Sequence, residues 1–188
     1  MPYVFRFHTE GRPDFVGEVQ TMQCAATNAK GGRCKCRVAI GAPFCWIHLL
    51  HKHHLRIKPS PIPGAGKGLF AIGPPNGPRL FKRGDVIVVY DGLHISQHTL
   101  DARYGDDDVA APYAVETHGD VEDAALRRGA GAICNHATGP AQNARIVYRG
   151  NRHIIVATKQ IFNGTEVLVD YGHNYWDGGN GTYSTKAR

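Results

Sequence analysis

The sequence predicts a mostly β domain of several small sheets, preceded by a small metal-stabilised module. Three observations carry this. Short apolar or β-branched runs recur between residues 55 and 170, separated by turns rich in Pro and Gly. Helical periodicity is scarce over the same span, which argues against alternating strands and helices. Four of the five cysteines fall between residues 24 and 45 and are followed closely by His48.

Residues 1–20 read as an N-terminal extension. They are broken by Arg6, Glu10, Arg12 and Asp14 and carry no apolar core of a signal peptide. No run of 18 apolar residues exists, so no membrane span is expected. The odd cysteine number and the missing secretion signal argue against a disulfide framework and for an intracellular, reduced chain.

Residues 21–52 form the expected metal module. Nine residues separate Cys24 from Cys34, ten separate Cys34 from Cys45, and two separate Cys45 from His48. Cys-x2-His places two ligands on one turn, a suitable bite for tetrahedral Zn2+. Gly31-Gly32 and Gly41-Ala-Pro supply turns, and the stretch has few apolar residues, so metal binding would supply its folding energy. The expected ligands are Cys24, Cys34, Cys45 and His48, with Cys36 an alternative to Cys34. His51, His53 and His54 read as a solvated strip.

Residues 53–177 form the expected main domain, and 178–188 a flexible tail. Strands are expected over 55–58, 68–72, 86–90, 113–117, 144–148, 153–158 and 167–170. The run 86–90 is continuously apolar and reads as buried. Ser96 caps a short helix over 97–104. The glycines at 64, 66 and 68 lack the following helix and late acid of a dinucleotide-binding unit.

Several short motifs then occur in fixed order: Pro63-Gly-Ala-Gly-Lys-Gly-Leu-Phe-Ala71, Tyr90-Asp91-Gly92, Asn135-His136, and Asn163-Gly-Thr-Glu166 leading to Asp170-Tyr171-Gly172. Together, from about Leu55 to Trp176, they resemble the SET domain of protein lysine methyltransferases. The 24–48 segment also resembles a small zinc-binding motif of viral and microbial proteins, in which the position of Cys36 is not normally cysteine.

The SET resemblance implies a C-terminal segment threaded beneath a loop near Asn135-His136. It implies S-adenosylmethionine as methyl donor, S-adenosylhomocysteine as product and a lysine side chain as acceptor. Main-chain atoms of Ala65, Gly66 and Lys67, with Asn135 and His136, would bind the donor. Trp176 would lie against the adenine or else close the core. Tyr171 matches the family's catalytic tyrosine, and Tyr90 its Tyr-x-Gly tyrosine beside the lysine channel. Tyr113 and Val169 are further candidates for the channel wall. Glu166 reads as a brace for a turn. After His136 the chain departs from the family pattern, and Asn143 is the match to its second asparagine. Asp106, Asp107, Asp108 and Glu116 lie where the family holds its peptide, and equally suit a solvated loop.

The implied partner is a basic protein, a histone tail foremost, in the nucleus or on chromatin. The net charge of +6 resides in residues 1–58, which hold nine Lys/Arg and three Asp/Glu; residues 59–188 hold thirteen of each. That basic third suits either weak nucleic-acid contact or a plain solvated surface. A non-catalytic chromatin or nucleic-acid module on a degenerate scaffold is the competing function. A homodimer is left open.

Overall fold

The computed structural model describes residues 3–8, 14–105, 111–117, 119–172 and 175. Trp176, Asp106–Asp108 and the 178–188 tail lie outside them. The strands in order are β1 (Val4–Phe7), β2 (Phe15–Glu18), β3 (Met22–Gln23), β4 (Arg37–Val38), β5 (Ile40–Ala42), β6 (Leu55–Pro59), β7 (Lys67–Ala71), β8 (Val86–Val89) and β9 (Leu93–Ile95). They continue as β10 (Ala114–Thr117), β11 (Asp120–Asp123), β12 (Arg128–Gly129), β13 (Asn135–His136), β14 (Ala144–Tyr148), β15 (His153–Ala157) and β16 (Leu168–Val169). Helices α1 (Trp46–His53) and α2 (Gln97–Tyr104) complete the set among the described residues. Neither is long and apolar enough to cross a membrane.

The largest sheet runs β13-β16-β14-β15-β8. Its arrangement answers the threading question. The last strand, β16, lies between β13 and β14, parallel to both. The chain joining β13 to β14 therefore crosses over β16. Both ends of that connection are tied down: Ala137 N–H donates to Val169 O at 2.9 Å, and Asn143 N–H to Leu168 O at 3.1 Å. Asn143, 6% exposed, also donates Nδ2 to Glu166 O and accepts from Leu168 N–H. A buried amide that satisfies two backbone groups is a costly residue to lose.

Strands β10-β11-β9 form a second sheet, and four two-stranded ribbons surround the rest. The main core holds Leu55, Leu69, Ile87, Ile155, Val167 and Val169. Val86, the first residue of β8, departs from its expected burial and is 48% exposed, while Ile87 and Val88 beside it are buried. The expected helix over 97–104 forms, with Ser96 Oγ accepting from Thr99 N–H.

Two elements went unread in the sequence. Helix α1 begins directly after Cys45, so His48 sits on a helix rather than an isolated turn. Strands β1 and β2 pair antiparallel, and their Phe5, Phe7 and Phe15 pack with α2 and Tyr113. Phe7 and Phe15 both meet the Tyr104 ring edge-on, at 5.1 and 5.4 Å.

Candidate active site and metal centre

Cys24, Cys34, Cys45 and His48 bring their ligand atoms within 4.8 Å of one another. His48 Nδ1 lies 3.6 Å from Cys24 Sγ and 3.2 Å from Cys45 Sγ. Zn–S near 2.3 Å and Zn–N near 2.0 Å place tetrahedral ligands roughly 3.5–3.8 Å apart, so the donor set and its spacing fit Zn2+. The three cysteines are buried, whereas Cys36 is exposed and outside the cluster. The cluster sits in its own small core with Ala26 and Val38, and Phe44 packs against both this core and the main one.

A wide cleft of about 690 Å³ opens beside β7 and β13. Ala65, Gly66, Lys67, Asn135 and His136 line it. Gly66 has φ +70° and no atom within 4 Å of a notional Cβ, so its backbone faces open space. Gly68 is different: a Cβ there would meet Glu166 Oε1 at 1.9 Å. Glu166, 8% exposed, accepts from Asn135 Nδ2 at 2.7 Å and from Ser60 Oγ at 3.0 Å. Asn135 Nδ2 also donates to Lys67 O at 3.2 Å. One buried carboxylate thereby fixes both the asparagine amide and the loop carrying Ala65 and Gly66. The sequence hints only at a bracing role for it.

A second, narrow channel of about 30 Å³ is lined by Tyr90, Val115, Cys134, Ile146, Val169 and Tyr171 among others. It shares Pro112, Ala132, Tyr171 and Tyr175 with the wide cleft. Tyr113 is expected on the channel wall; it lines the wide cleft instead, and its carbonyl accepts from Tyr90 Oη at 2.9 Å. It thus acts on the channel through Tyr90. Tyr175 lines both spaces and meets the Tyr171 ring edge-on at 4.5 Å. The sequence passes over it in favour of its neighbour Trp176, which lies outside the described residues.

Tyr171 Oη donates to Cys134 O at 2.6 Å, and Tyr171 N–H donates to His136 Nδ1 at 3.1 Å. Burial first, then the neighbouring Tyr175, pushes the Tyr171 phenol well above its ordinary range. Burial does the same to Tyr90 and to the Cys134 thiol. All three are neutral at neutral pH, and none is a base. His136 is held below its usual value by burial, which the Asp170 carboxylate 3.7 Å away only partly offsets.

The SET-domain family model matches residues 66–172, more than half of the chain. The chain belongs to the SET-domain family. No curated protein sequence matches it significantly. Among solved structures, ctPRC2 in complex with H3K27me3 and H3K27M is 26% identical, covers 70% of this SET-domain protein and 16% of its own chain, and superposes with a TM-score of 0.51. An autoinhibited ctPRC2 bound to S-adenosylmethionine is 26% identical over 65% of this chain and 15% of its own, with a TM-score of 0.50. Polycomb repressive complex 2 in the stimulated state is 23% identical over 71% and 17%, with a TM-score of 0.53, a likeness of fold. The SET-domain protein thus spans about a sixth of the length of these chains.

Proposed function

We propose that this SET-domain protein is an S-adenosylmethionine-dependent protein lysine N-methyltransferase that acts on a histone tail. The observation that carries the reading is the meeting of a wide cleft and a narrow apolar channel at Tyr171. A cleft of about 690 Å³ suits a nucleoside-sized ligand. The bare backbone at Gly66 and the fixed amide of Asn135 are the contacts such a ligand would use. When bound, the donor supplies an electrophilic methyl group on a positively charged sulfur.

The chain's own residues would do the rest. Tyr90, Val115, Ile146 and Val169 line the channel and exclude water from an entering lysine. An ammonium near pKa 10.4 has no lone pair, and desolvation favours its neutral form. Tyr171 commits its hydroxyl proton to Cys134 O, which leaves oxygen lone pairs to accept from the amine. The tyrosine thereby orients the nucleophile toward the cleft. Cys24, Cys34, Cys45 and His48 would hold Zn2+ and brace the module that contributes Ile40 to the cleft wall.

A histone substrate is supported by the likeness to ctPRC2, solved with H3K27me3 and H3K27M. It implies a nuclear or chromatin location. The test is incubation with isotopically labelled donor and a panel of histones and non-histone proteins. Label on lysine supports the proposal. Donor binding with label only on non-histone proteins would overturn the histone substrate. Absence of donor binding, together with salt-sensitive DNA binding, would favour the non-catalytic module.

A further inference from the structure

Residues 19–84 contain eleven Lys/Arg and no Asp or Glu. Lys30, Arg33, Lys35, Arg37, Lys52 and Arg56 are all exposed. No ion pair among the described residues engages any of these cations. Two of them are pre-oriented rather than loose. Arg33 donates Nε to Cys24 O and Nη2 to Gln23 O, each at 3.2 Å, and Arg37 donates Nη2 to Thr21 O at 2.6 Å. Main-chain carbonyls hold these guanidiniums without cancelling their charge.

The same segment builds a groove of about 310 Å³ where the metal module meets β6 and β7. Ile40, Phe44, Trp46, Arg56, Ile57 and Lys67 are among the residues that line it. Trp46 is 66% exposed, the most exposed large apolar residue described. An indole held at the start of a helix, beside a guanidinium in a groove whose lining carries no acid, is the combination that binds a phosphate-bearing strand and stacks an unpaired base. Nothing in the sequence alone places an aromatic platform there, because Trp46 reads as part of the metal turn.

We propose that this face is a docking surface for single-stranded nucleic acid, with Trp46 as the stacking platform and Arg56 beside it. Trp46 and Arg56 line neither the cleft nor the channel that meet at Tyr171, whereas Ile40 and Lys67 are shared between the groove and the cleft. The occupant follows from the charge, which suits a polyphosphate backbone, and from the groove, whose exposed ring suits a base. A duplex keeps its bases stacked and would leave the indole unused.

Fluorescence anisotropy with a labelled oligothymidine of about 20 nucleotides, against a duplex of equal length, tests this on the full zinc-loaded chain. The single strand should bind more tightly than the duplex. Its affinity should fall roughly fifty-fold between about 50 and 200 mM salt if about four phosphates are engaged. Trp46→Ala should weaken binding about ten-fold, with Trp46→Phe largely restoring it. Zinc content and melting temperature report whether each variant folds, and Arg56→Gln gives a second variant remote from the ligand Cys45. Unchanged affinity in both Trp46→Ala and Arg56→Gln would overturn the proposal. So would equal or tighter binding of the duplex, equal competition by polyglutamate, or quenching of Trp46 by S-adenosylmethionine with no effect of the oligonucleotide.

Discussion

Asn135, which lines the wide cleft, donates its side-chain amide to Glu166 across 2.7 Å and so joins two segments 31 residues apart. The bond leaves Asn135 one amide orientation, with Nδ2 turned toward Glu166 and the Lys67 carbonyl and Oδ1 turned away. Glu166→Ala would take one partner from each of Asn135 Nδ2 and Ser60 Oγ, leaving the amide only its longer bond to Lys67 O, while opening a void beside Gly68. A hydrogen bond to a charged group is worth about 1.5–3 kcal/mol. The melting temperature should drop, and calorimetry should show donor affinity falling by an order of magnitude, roughly 1.4 kcal/mol. Glu166→Gln, which keeps the shape, should retain more of both.

Gly68→Ala tests the same contact from the opposite side. Its Cβ would stand 1.9 Å from Glu166 Oε1 and 3.0 Å from Asn135 Nδ2, so the carboxylate must move. Donor affinity should fall at least as far as in Glu166→Gln. An unaltered affinity would mean that this contact does not govern the cleft.

Tyr171→Phe removes the hydroxyl but keeps the ring against His136 and Tyr175. Turnover on a lysine peptide should fall about a hundred-fold or more, as for loss of one preorganised polar group at a reacting centre. Donor affinity should change little. Parallel losses in both would place Tyr171 in donor binding rather than in orienting the amine.

The metal module reaches the cleft through its backbone. β5 pairs in parallel with β12, Ala130 N–H donates to Ala42 O at 3.1 Å, and the chain then runs on to Asn135. Chelating Zn2+, or Cys34→Ser, should therefore lower both melting temperature and donor affinity, since site formation and folding are coupled. Cys36→Ser should leave zinc content at one ion per chain, read by elemental analysis. Loss of zinc in Cys36→Ser and its retention in Cys34→Ser would reverse the ligand assignment.

Acid should loosen the site through His136. Its folded pKa is depressed, so between the unfolded value near 6.5 and that lower value the unfolded chain binds more protons. The contribution is fully present above about pH 6.5 and is lost as pH falls below it. Protonation also removes the Nδ1 lone pair that accepts from Tyr171 N–H. Stability of the wild type should fall more steeply below pH 6.5 than that of His136→Gln. Turnover should instead climb on the alkaline side as more lysine is neutral, with no inflection from Tyr171.

Much of this site was legible in the chain because it depends on residue order. Gly66, Asn135 and Tyr171 each stand in a short motif that can be read from adjacent residues alone. What was illegible depends on which side of a wall a residue faces. Tyr113 and Val169 both sit in apolar strand patterns, yet one lines the cleft and the other the channel. A period of two cannot distinguish cavities that share a wall. Helix α1 was hidden because ligand spacing at Cys45 and His48 explained the same residues without a helix. The apolar run over 86–90 reveals β character but not that its first residue, Val86, lies at the surface. The parallel insertion of β16 between β13 and β14 was accessible only by resemblance, since pairing partners far apart in sequence leave no local pattern.

The account rests on two spaces meeting at one hydroxyl. A crystal structure with S-adenosylhomocysteine and a lysine peptide tests it most directly. The account predicts the nucleoside in the cleft beside Gly66 and Asn135, and the lysine Nζ in the channel within roughly 3–3.5 Å of Tyr171 Oη. A lysine bound elsewhere, or a nucleoside lying outside that cleft, would contradict it.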